Sequence, residues 1–311
     1  MSRLVSQCIS ASVLAAVLQL ALPPCSTAAS AALTATVPVV TSTSVLADLV
    51  ANVGGDRIMV RSLAPAGTDA HTFQPPPASI TALTKARLIF FNGAGLEEWW
   101  NNTLKSAGRR DVPVVELSRG LTMLTQPGGP QKAGASSGQP DPHVWLDPIL
   151  VQTYVERIRD ALTRADSAGG DEYAVRAKAY QAKLAELDAW IRTEVERVPP
   201  ARRKLVTFHD AFQYFARRYG FTVKGFVVAS PGKELSAKSL ADLARRIEQE
   251  GIPAVFAEAD FNPKLLQVLA HDTGVKIVTN LYDESLTSGP PADTYLAMMR
   301  HNVNTIVKAL K

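Results

Sequence analysis

The sequence predicts an α/β fold in which two α/β lobes are joined by a long, rigid helix. Three observations lead to this fold class. Short apolar runs alternate with amphipathic stretches, each half of the chain contains its own series of these alternating segments, and one unusually long amphipathic stretch separates the halves. The length of 311 residues also suits two domains of roughly 150 residues each.

The composition is typical of a globular protein and excludes two other classes. Hydrophobic residues make up 46% and charged residues 20% of the chain, which is unlike a disordered protein. The net charge of +4 is small and scattered, and no basic arm or aromatic-basic stripe occurs. We therefore expect no nucleic-acid partner.

Residues 1–31 are predicted to be a signal peptide. Arg3 is their only charged residue, an apolar run covers 13–22, and a tract of small residues follows. The apolar run is shorter than the roughly 20 residues that a membrane span needs. We expect cleavage within 27–32, which exports the mature chain without its only two cysteines, Cys8 and Cys25, and therefore without a disulfide.

Lipid attachment at Cys25 is the alternative to that cleavage. It would make Cys25 the first residue of a lipoprotein. The residues before it are Leu22, Pro23 and Pro24, which differ from the small residues that lipoprotein processing prefers. We favour the cleaved signal peptide.

The N-terminal lobe is predicted to cover residues 36–170. Turn residues separate its buried apolar runs, and amphipathic stretches of helical period lie between them. The predicted strands are 38–43, 58–63, 87–92 and 112–116, with helices at 44–53 and 96–106 and another that begins near Pro148.

The C-terminal lobe, predicted to cover residues 203–311, repeats this alternation. Its predicted strands are 204–208, 222–227, 254–257 and 275–282, with helices at 236–250 and 263–271. A helix over residues 171–198 would be ~40 Å long at ~1.5 Å per residue and would link the lobes. Residues 125–140 are rich in Gly, Pro, Ser and Gln and predict a surface loop.

Three of the five histidines follow or precede predicted elements at positions where strands end. His71 follows the strand 58–63 through a Pro/Gly turn, His143 precedes the helix that begins near Pro148, and His209 directly follows the strand 204–208. Ligands of open α/β sheets bind outside the carboxyl ends of strands. Because neutral imidazole is a common metal ligand, the three histidines predict a metal site in the cleft between the lobes.

The other two histidines, His271 and His301, lie on helical stretches without a special context, and we assign them structural roles. A carboxylate for the fourth ligand position follows the strand 275–282, where Asp283 and Glu284 are adjacent. Side chains of adjacent residues on an extended segment point to opposite faces. We therefore expect only one of these two acids to enter the cleft.

Four further acids flank the histidines. Asp69, Asp141, Asp147 and Asp210 could orient imidazole N–H groups. Their alternative role is the capping of helices and turns, which for Asp147 and Asp210 is an equally good interpretation.

With these residues in place, the chain resembles the zinc/manganese-binding solute receptors of bacterial ABC importers, a family that also includes proteins described as adhesins. The resemblance extends over nearly the whole mature chain. The resemblance rests on the motifs GTDAHTFQP at 67–75, DPHVWLDP at 141–148, HDAFQYF at 209–215, LYDESL at 281–286, TYL at 294–296 and HNV at 301–303.

The resemblance implies a periplasmic, non-enzymatic receptor with one divalent ion between two lobes, and His71, His143 and His209 as its nitrogen ligands. Glu284 occupies the position where the family usually has an aspartate. The transported ion is expected to be zinc, with manganese or iron as alternatives. The receptor is expected to be a monomer that delivers this ion to the transmembrane permease of a metal ABC importer. Residues 125–140 contain no His or acid, so no metal scavenging by this loop is expected.

Two other functions remain as alternatives. Three histidines and a labile carboxylate could leave a position open for water in an exported zinc-dependent hydrolase. The chain contains no HExxH helix or nucleophile elbow to support an enzyme. The second alternative is an adhesin whose metal is only structural, in which case loss of the metal would unfold the protein.

Overall fold

Two four-stranded parallel sheets dominate the part of the chain that the structure describes. The structure is a computed structural model, which describes residues 36–108, 111–125, 138–228, 230–232, 236–259 and 264–311. The predicted signal peptide with both cysteines, and most of the predicted loop at 125–140, lie outside the described residues. None of the described helices has the length and apolar character needed to cross a membrane.

The first sheet has the strand order β2-β1-β3-β4. Its two central strands are almost continuously buried and its edge strands are partly exposed, as expected for a parallel sheet covered on both faces by helices. The elements of this lobe are β1 Val37–Thr41, α1 Ser44–Gly54, β2 Ile58–Ser62, α2 Pro77–Lys85, β3 Leu88–Phe91, α3 Trp100–Ala107, β4 Val114–Glu116 and α4 Pro148–Ala165.

The second sheet has the equivalent order, β6-β5-β7-β8. Its central strands β5 and β7 are again the buried ones. The elements after α5 (Gly170–Glu196) are β5 Lys204–His209, α6 Gln213–Tyr219, β6 Thr222–Val228, α7 Ala237–Glu250, β7 Ala254–Glu258, α8 Lys264–Thr273, β8 Lys276–Leu281 and α9 Tyr295–Leu310. The prediction of two α/β lobes is therefore confirmed.

Helix α5 is the long helix between the lobes. Its 27 residues correspond to ~40 Å. One face is buried at helical spacing, and these side chains share a single apolar core with residues of both lobes, for example Leu49 of α1 and Met298 of α9. The buried residues of α5 are Tyr173, Ala177, Tyr180, Leu184, Leu187, Ile191 and Val195.

Helix α3 begins later than predicted, at Trp100 rather than at residue 96. The preceding turn contains Gly93 and Gly95, both at φ +86°, a conformation that glycine adopts readily. The Glu97 carboxylate, which the sequence pattern assigns to the helix, instead accepts the backbone N–H groups of Asn92 (2.8 Å) and Gly93 (3.1 Å). This local hydrogen bonding holds residues 92–97 as a turn and delays the helix.

Candidate metal centre

The candidate centre lies where the carboxyl ends of the central strands of the second sheet meet the first lobe. His209 is the last residue of β5 and Glu258 is the last residue of β7. Strand β5 connects towards β6 on one side and β7 lies on the other, so this is the point where the strand order reverses and where α/β sheets bind ligands. Glu284 follows the end of β8.

The first lobe contributes His71 and His143 from two loops. His71 lies between β2 and α2, in a segment held by a hydrogen bond from Trp99 Nε1 to the carbonyl of Ala70 (2.8 Å). The same segment touches the second lobe, because the Gly67 N–H donates to the carbonyl of Leu286 (2.9 Å). His143 immediately precedes a short 3₁₀ turn that leads into α4.

Three imidazole nitrogens and one carboxylate oxygen converge at the centre. The Nε2 atom of His143 lies 3.3 Å from Nε2 of His71 and 3.3 Å from Nε2 of His209. Glu284 Oε1 lies 3.4 Å from the nitrogen of His71, 3.0 Å from that of His143 and 3.5 Å from that of His209. The structure thus brings together all four residues that the sequence nominated.

These separations suit a tetrahedral ion. Zinc binds imidazole nitrogen and carboxylate oxygen at about 2.0–2.2 Å, so a tetrahedral zinc site has ligand atoms about 3.3–3.6 Å apart. The side chains of His143 and His209 are fully buried, that of Glu284 is 1% exposed, and that of His71 is 10% exposed. The donor set is therefore enclosed, with His71 nearest to solvent.

His143 is oriented by Asp141. Oδ1 of this buried carboxylate lies 2.6 Å from Nδ1 of the imidazole and also accepts the His143 backbone N–H (3.1 Å). This contact directs Nε2 towards the other ligands, as an outer carboxylate does for a metal-binding histidine. Burial lowers the pKa of His143, but the charges and hydrogen bonds of Asp141 and Glu284 outweigh it and raise this pKa to about 10.

His209 has acids on both sides of its ring. Glu258 Oε1 lies 3.8 Å from Nδ1, and Asp283 Oδ2 lies 3.5 Å from Nε2. Burial lowers the pKa of His209, but Asp283, Glu258 and Glu284 together raise it well above its ordinary value. Both shifts favour the imidazolium form of these two buried side chains.

The two adjacent acids respond in opposite ways to this environment. Burial disfavours the charge of Glu284, yet its contacts with His71, His143 and His209 hold the pKa of Glu284 well below the ordinary value. Burial raises the pKa of Asp283 well above the ordinary value. The charge of His209 opposes this shift, and the charges of Glu258 and Glu284 add to it. Glu284 is therefore the carboxylate that stays ionised beside the histidines.

The expectation that only one of the two acids enters the cleft is wrong. The chain bends at both Asp283 and Glu284 instead of continuing as a strand, and both side chains are buried beside His209. The bend is held by a hydrogen bond from Trp145 Nε1 to the main-chain carbonyl of Asp283 (2.7 Å). The face-alternation argument fails because it requires extended backbone.

Three of the four flanking acids take one of the two roles considered for them, and Asp210 takes neither. Asp141 orients an imidazole, whereas Asp147 caps α4 through Ile149 N–H (2.9 Å) and pairs with Arg218. Asp69 accepts the backbone N–H of Thr72 (2.7 Å), which is a turn contact. Asp210 accepts the side-chain amide of Gln213 (2.6 Å), which is neither a helix cap nor a contact with an imidazole.

Glu258 is the buried acid that sequence reasoning missed. The predicted strand 254–257 stops one residue short of it, although its position at the carboxyl end of a central strand matches that of His209. The two remaining histidines lie away from the centre. His271 is exposed beside Asp272, and His301 Nε2 lies 2.8 Å from the carbonyl of Asn280.

Comparison with known proteins places this geometry in a family. The family model described as the zinc-uptake complex component A, periplasmic, matches residues 39–309. The manganese-binding lipoprotein MntA of Halalkalibacterium halodurans is 34% identical over 273 residues, which is 88% of each chain. The iron-binding protein YfeA of Yersinia pestis is 32% identical over 271 residues, 87% of this chain and 85% of that protein.

A solved structure extends the similarity to three dimensions. The periplasmic zinc-binding protein TroA of Treponema pallidum superimposes with a TM-score of 0.79 at 32% identity, covering 88% of this chain and 99% of that one. This family consists of substrate-binding receptors and not of enzymes, so the hydrolase alternative has no support. The chain therefore belongs to the family of periplasmic metal-binding receptors of ABC importers, as its sequence motifs predicted.

Proposed function

We propose that this protein captures one divalent transition-metal ion in the periplasm and delivers it to the membrane permease of a metal ABC importer. The observation that carries the proposal is the convergence of His71, His143, His209 and Glu284, with their donor atoms within 4.8 Å of one another. These residues come from both lobes, so the ion would be held between them. Relatives named for manganese, iron and zinc binding support a transition metal as the cargo.

Zinc is the proposed first preference of the isolated protein. Three imidazole nitrogens and one carboxylate suit zinc's tetrahedral geometry, and the order of divalent-metal affinities favours zinc over manganese and iron at such a site. In the cell, metal supply contributes to which ion is loaded. Manganese or ferrous iron could therefore be carried by the same site where zinc is scarce.

Metal analysis of the protein purified from the periplasm without added salts tests the capture of a metal. We expect close to one equivalent of a divalent transition metal, which chelation removes without unfolding the chain. Absence of metal would contradict the proposal, and unfolding on chelation would favour the structural-metal alternative. As a control, His271→Ala removes an exposed histidine remote from the centre and should leave the metal content unchanged.

Competition dialysis with equal free zinc and manganese tests the metal preference. We expect zinc to be retained. Preferential retention of manganese would overturn the zinc assignment and indicate that more than one oxygen contributes to the site.

Two further parts of the proposal have their own measurements. Light scattering of the purified receptor should give the mass of a monomer. Mass spectrometry of the mature N-terminus distinguishes cleavage within 27–32 from lipid attachment at Cys25. Relatives named as lipoproteins are an argument for the second outcome.

A further inference from the structure

A second buried carboxylate faces the nitrogen of His209 that points to the centre. Asp283 Oδ2 lies 3.5 Å from His209 Nε2, which is the same distance as that of Glu284 Oε1. The Asp283 side chain is 1% exposed. Two oxygens from adjacent residues therefore approach one imidazole nitrogen, which can direct its lone pair or its proton towards only one partner.

Hydrogen bonds hold the other polar atoms of Asp283 in place, whereas Oδ2 lacks a hydrogen-bond donor among the described residues. Its Oδ1 atom accepts the backbone N–H of Glu284 (2.9 Å), and its carbonyl accepts the indole N–H of Trp145 (2.7 Å). Oδ2 makes no hydrogen bond with any described residue. Burial of a carboxylate oxygen without a donor costs free energy, so the position favours either protonation or a positively charged partner such as a bound ion.

Asp283 lies at the border of the candidate coordination shell. It is not one of the four residues whose donor atoms all lie within 4.8 Å of one another, but it forms a second such group with His209 and Glu258. A four-coordinate ion has a full shell without Asp283. A larger ion with five or six ligands and a preference for oxygen would have this carboxylate beside it, since Asp283 Oδ2 lies 3.5 Å from His209 Nε2.

We propose that Asp283 is a specificity-determining residue, which supplies an additional oxygen ligand to manganese or ferrous iron and is left out by zinc. The inference rests on the proposed function and refines it. The site then has two coordination modes, four ligands for a tetrahedral ion and five or more for an ion of higher coordination number. Asp283 thus reduces the difference between the affinities for zinc and for manganese or ferrous iron, but zinc still binds more tightly.

The decisive experiment compares the affinities of Asp283→Asn for Mn²⁺ and Zn²⁺ with those of the wild type. The amide keeps the size of the side chain and an oxygen for the Glu284 N–H, but it loses the charge. We expect Mn²⁺ to bind at least about tenfold more weakly and Zn²⁺ to change by less than about threefold, since loss of a metal's carboxylate partner typically costs 10–100-fold. Asp283→Ser provides the same comparison if the asparagine variant does not fold.

Two other variants separate this role from a general one. Glu258→Gln alters the acid on the far nitrogen of His209, so it should change both affinities by a similar factor. Glu284→Ala removes a ligand common to both modes and should strongly weaken both metals. Equal losses for Mn²⁺ and Zn²⁺ in Asp283→Asn, or no loss for either, would overturn the specificity role.

Cobalt(II) gives an independent spectroscopic measurement, because its visible absorption is strong in tetrahedral sites and weak at coordination numbers of five and six. We expect Asp283→Asn to increase the absorption of the bound Co²⁺, and an unchanged spectrum would contradict recruitment of Asp283. These results are distinct from failure of the proposed function, in which the wild type itself would bind neither Zn²⁺ nor Mn²⁺.

Discussion

The two lobes contribute different chemistry to the candidate centre. The first lobe presents two imidazole nitrogens, those of His71 and His143, and its nearby carboxylate, Asp141, lies behind the ring of His143. The second lobe presents one imidazole together with the oxygens of Glu284 and Asp283. Neither half alone has a tetrahedral donor set. Under the proposed function, both lobes would determine the metal affinity, and the oxygens proposed to discriminate between metals belong to the second lobe.

Replacing one buried histidine in each lobe tests whether both lobes contribute to the zinc affinity. We expect His143→Ala and His209→Ala each to weaken zinc binding by at least about 100-fold, since loss of an outer partner alone costs 10–100-fold. Calorimetric titration measures the effect, with His271→Ala as the control. Wild-type affinity in either variant would remove that residue from the site and with it the contribution of its lobe.

The affinity should fall as the pH falls, because metal and protons compete for the same nitrogens in both lobes. The pKa of His143 is raised to about 10 and that of His209 is also raised, so both shifts favour an imidazolium whose second proton the metal must displace. Glu284 stays ionised because its pKa is held low. At pH values below the pKa of an imidazole, each fall of one pH unit weakens metal binding by about tenfold for every proton that the metal displaces.

Titrations at pH 6, 7 and 8 measure this dependence. Calorimetry in two buffers of different ionisation enthalpy counts the protons released on binding. Affinity that does not change between pH 8 and 6, with no proton release, would contradict protonated histidines in the metal-free protein.

The orienting carboxylate of the first lobe should have a smaller effect. Asp141→Asn removes the charge behind His143, and we expect zinc binding to weaken by about 10–100-fold. The same change should lower the pKa of His143 and reduce proton release at neutral pH, a result that a purely structural role would not give. Unchanged affinity and unchanged proton release would show that the 2.6 Å contact does not tune the ligand.

Asp147 is the matched acid with no contact to the centre, and it should have the smallest effect on metal binding. Asp147→Ala removes the cap of α4, which typically costs about 1 kcal/mol of stability. We expect the urea midpoint to fall while zinc affinity changes by less than about twofold. A large loss of affinity would show that the entry of α4, just after His143, positions this ligand.

The sequence predicted most of the fold because parallel strands buried on both faces read as apolar runs. Strand β5, for example, was placed within one residue, and its end located His209. Helix α2 was not predicted, since its first residue, Pro77, follows two other prolines that indicate a turn. The late start of α3 depends on hydrogen bonds of Glu97 that no periodicity encodes.

The candidate site was predicted as far as local motifs reach. His71, His143, His209 and Glu284 each stand in a distinctive phrase or at a strand end, and the structure brings them together. The inward position of Asp283 depends on a bend fixed by Trp145, which is 138 residues away in sequence. Such a long-range contact has no signal in the spacing of residues, and neither does the distance between Glu258 and His209.

The shared apolar core along α5 has a consequence for how the protein responds to heat. Because side chains of α5 pack in one core with α1 of the first lobe and α9 of the second, melting of either lobe exposes part of the core of the other. Both should unfold in a single transition, even though the chain has two separate sheets. A bound ion at 1,000 times its Kd would then add about 4 kcal/mol to the stability of both lobes together.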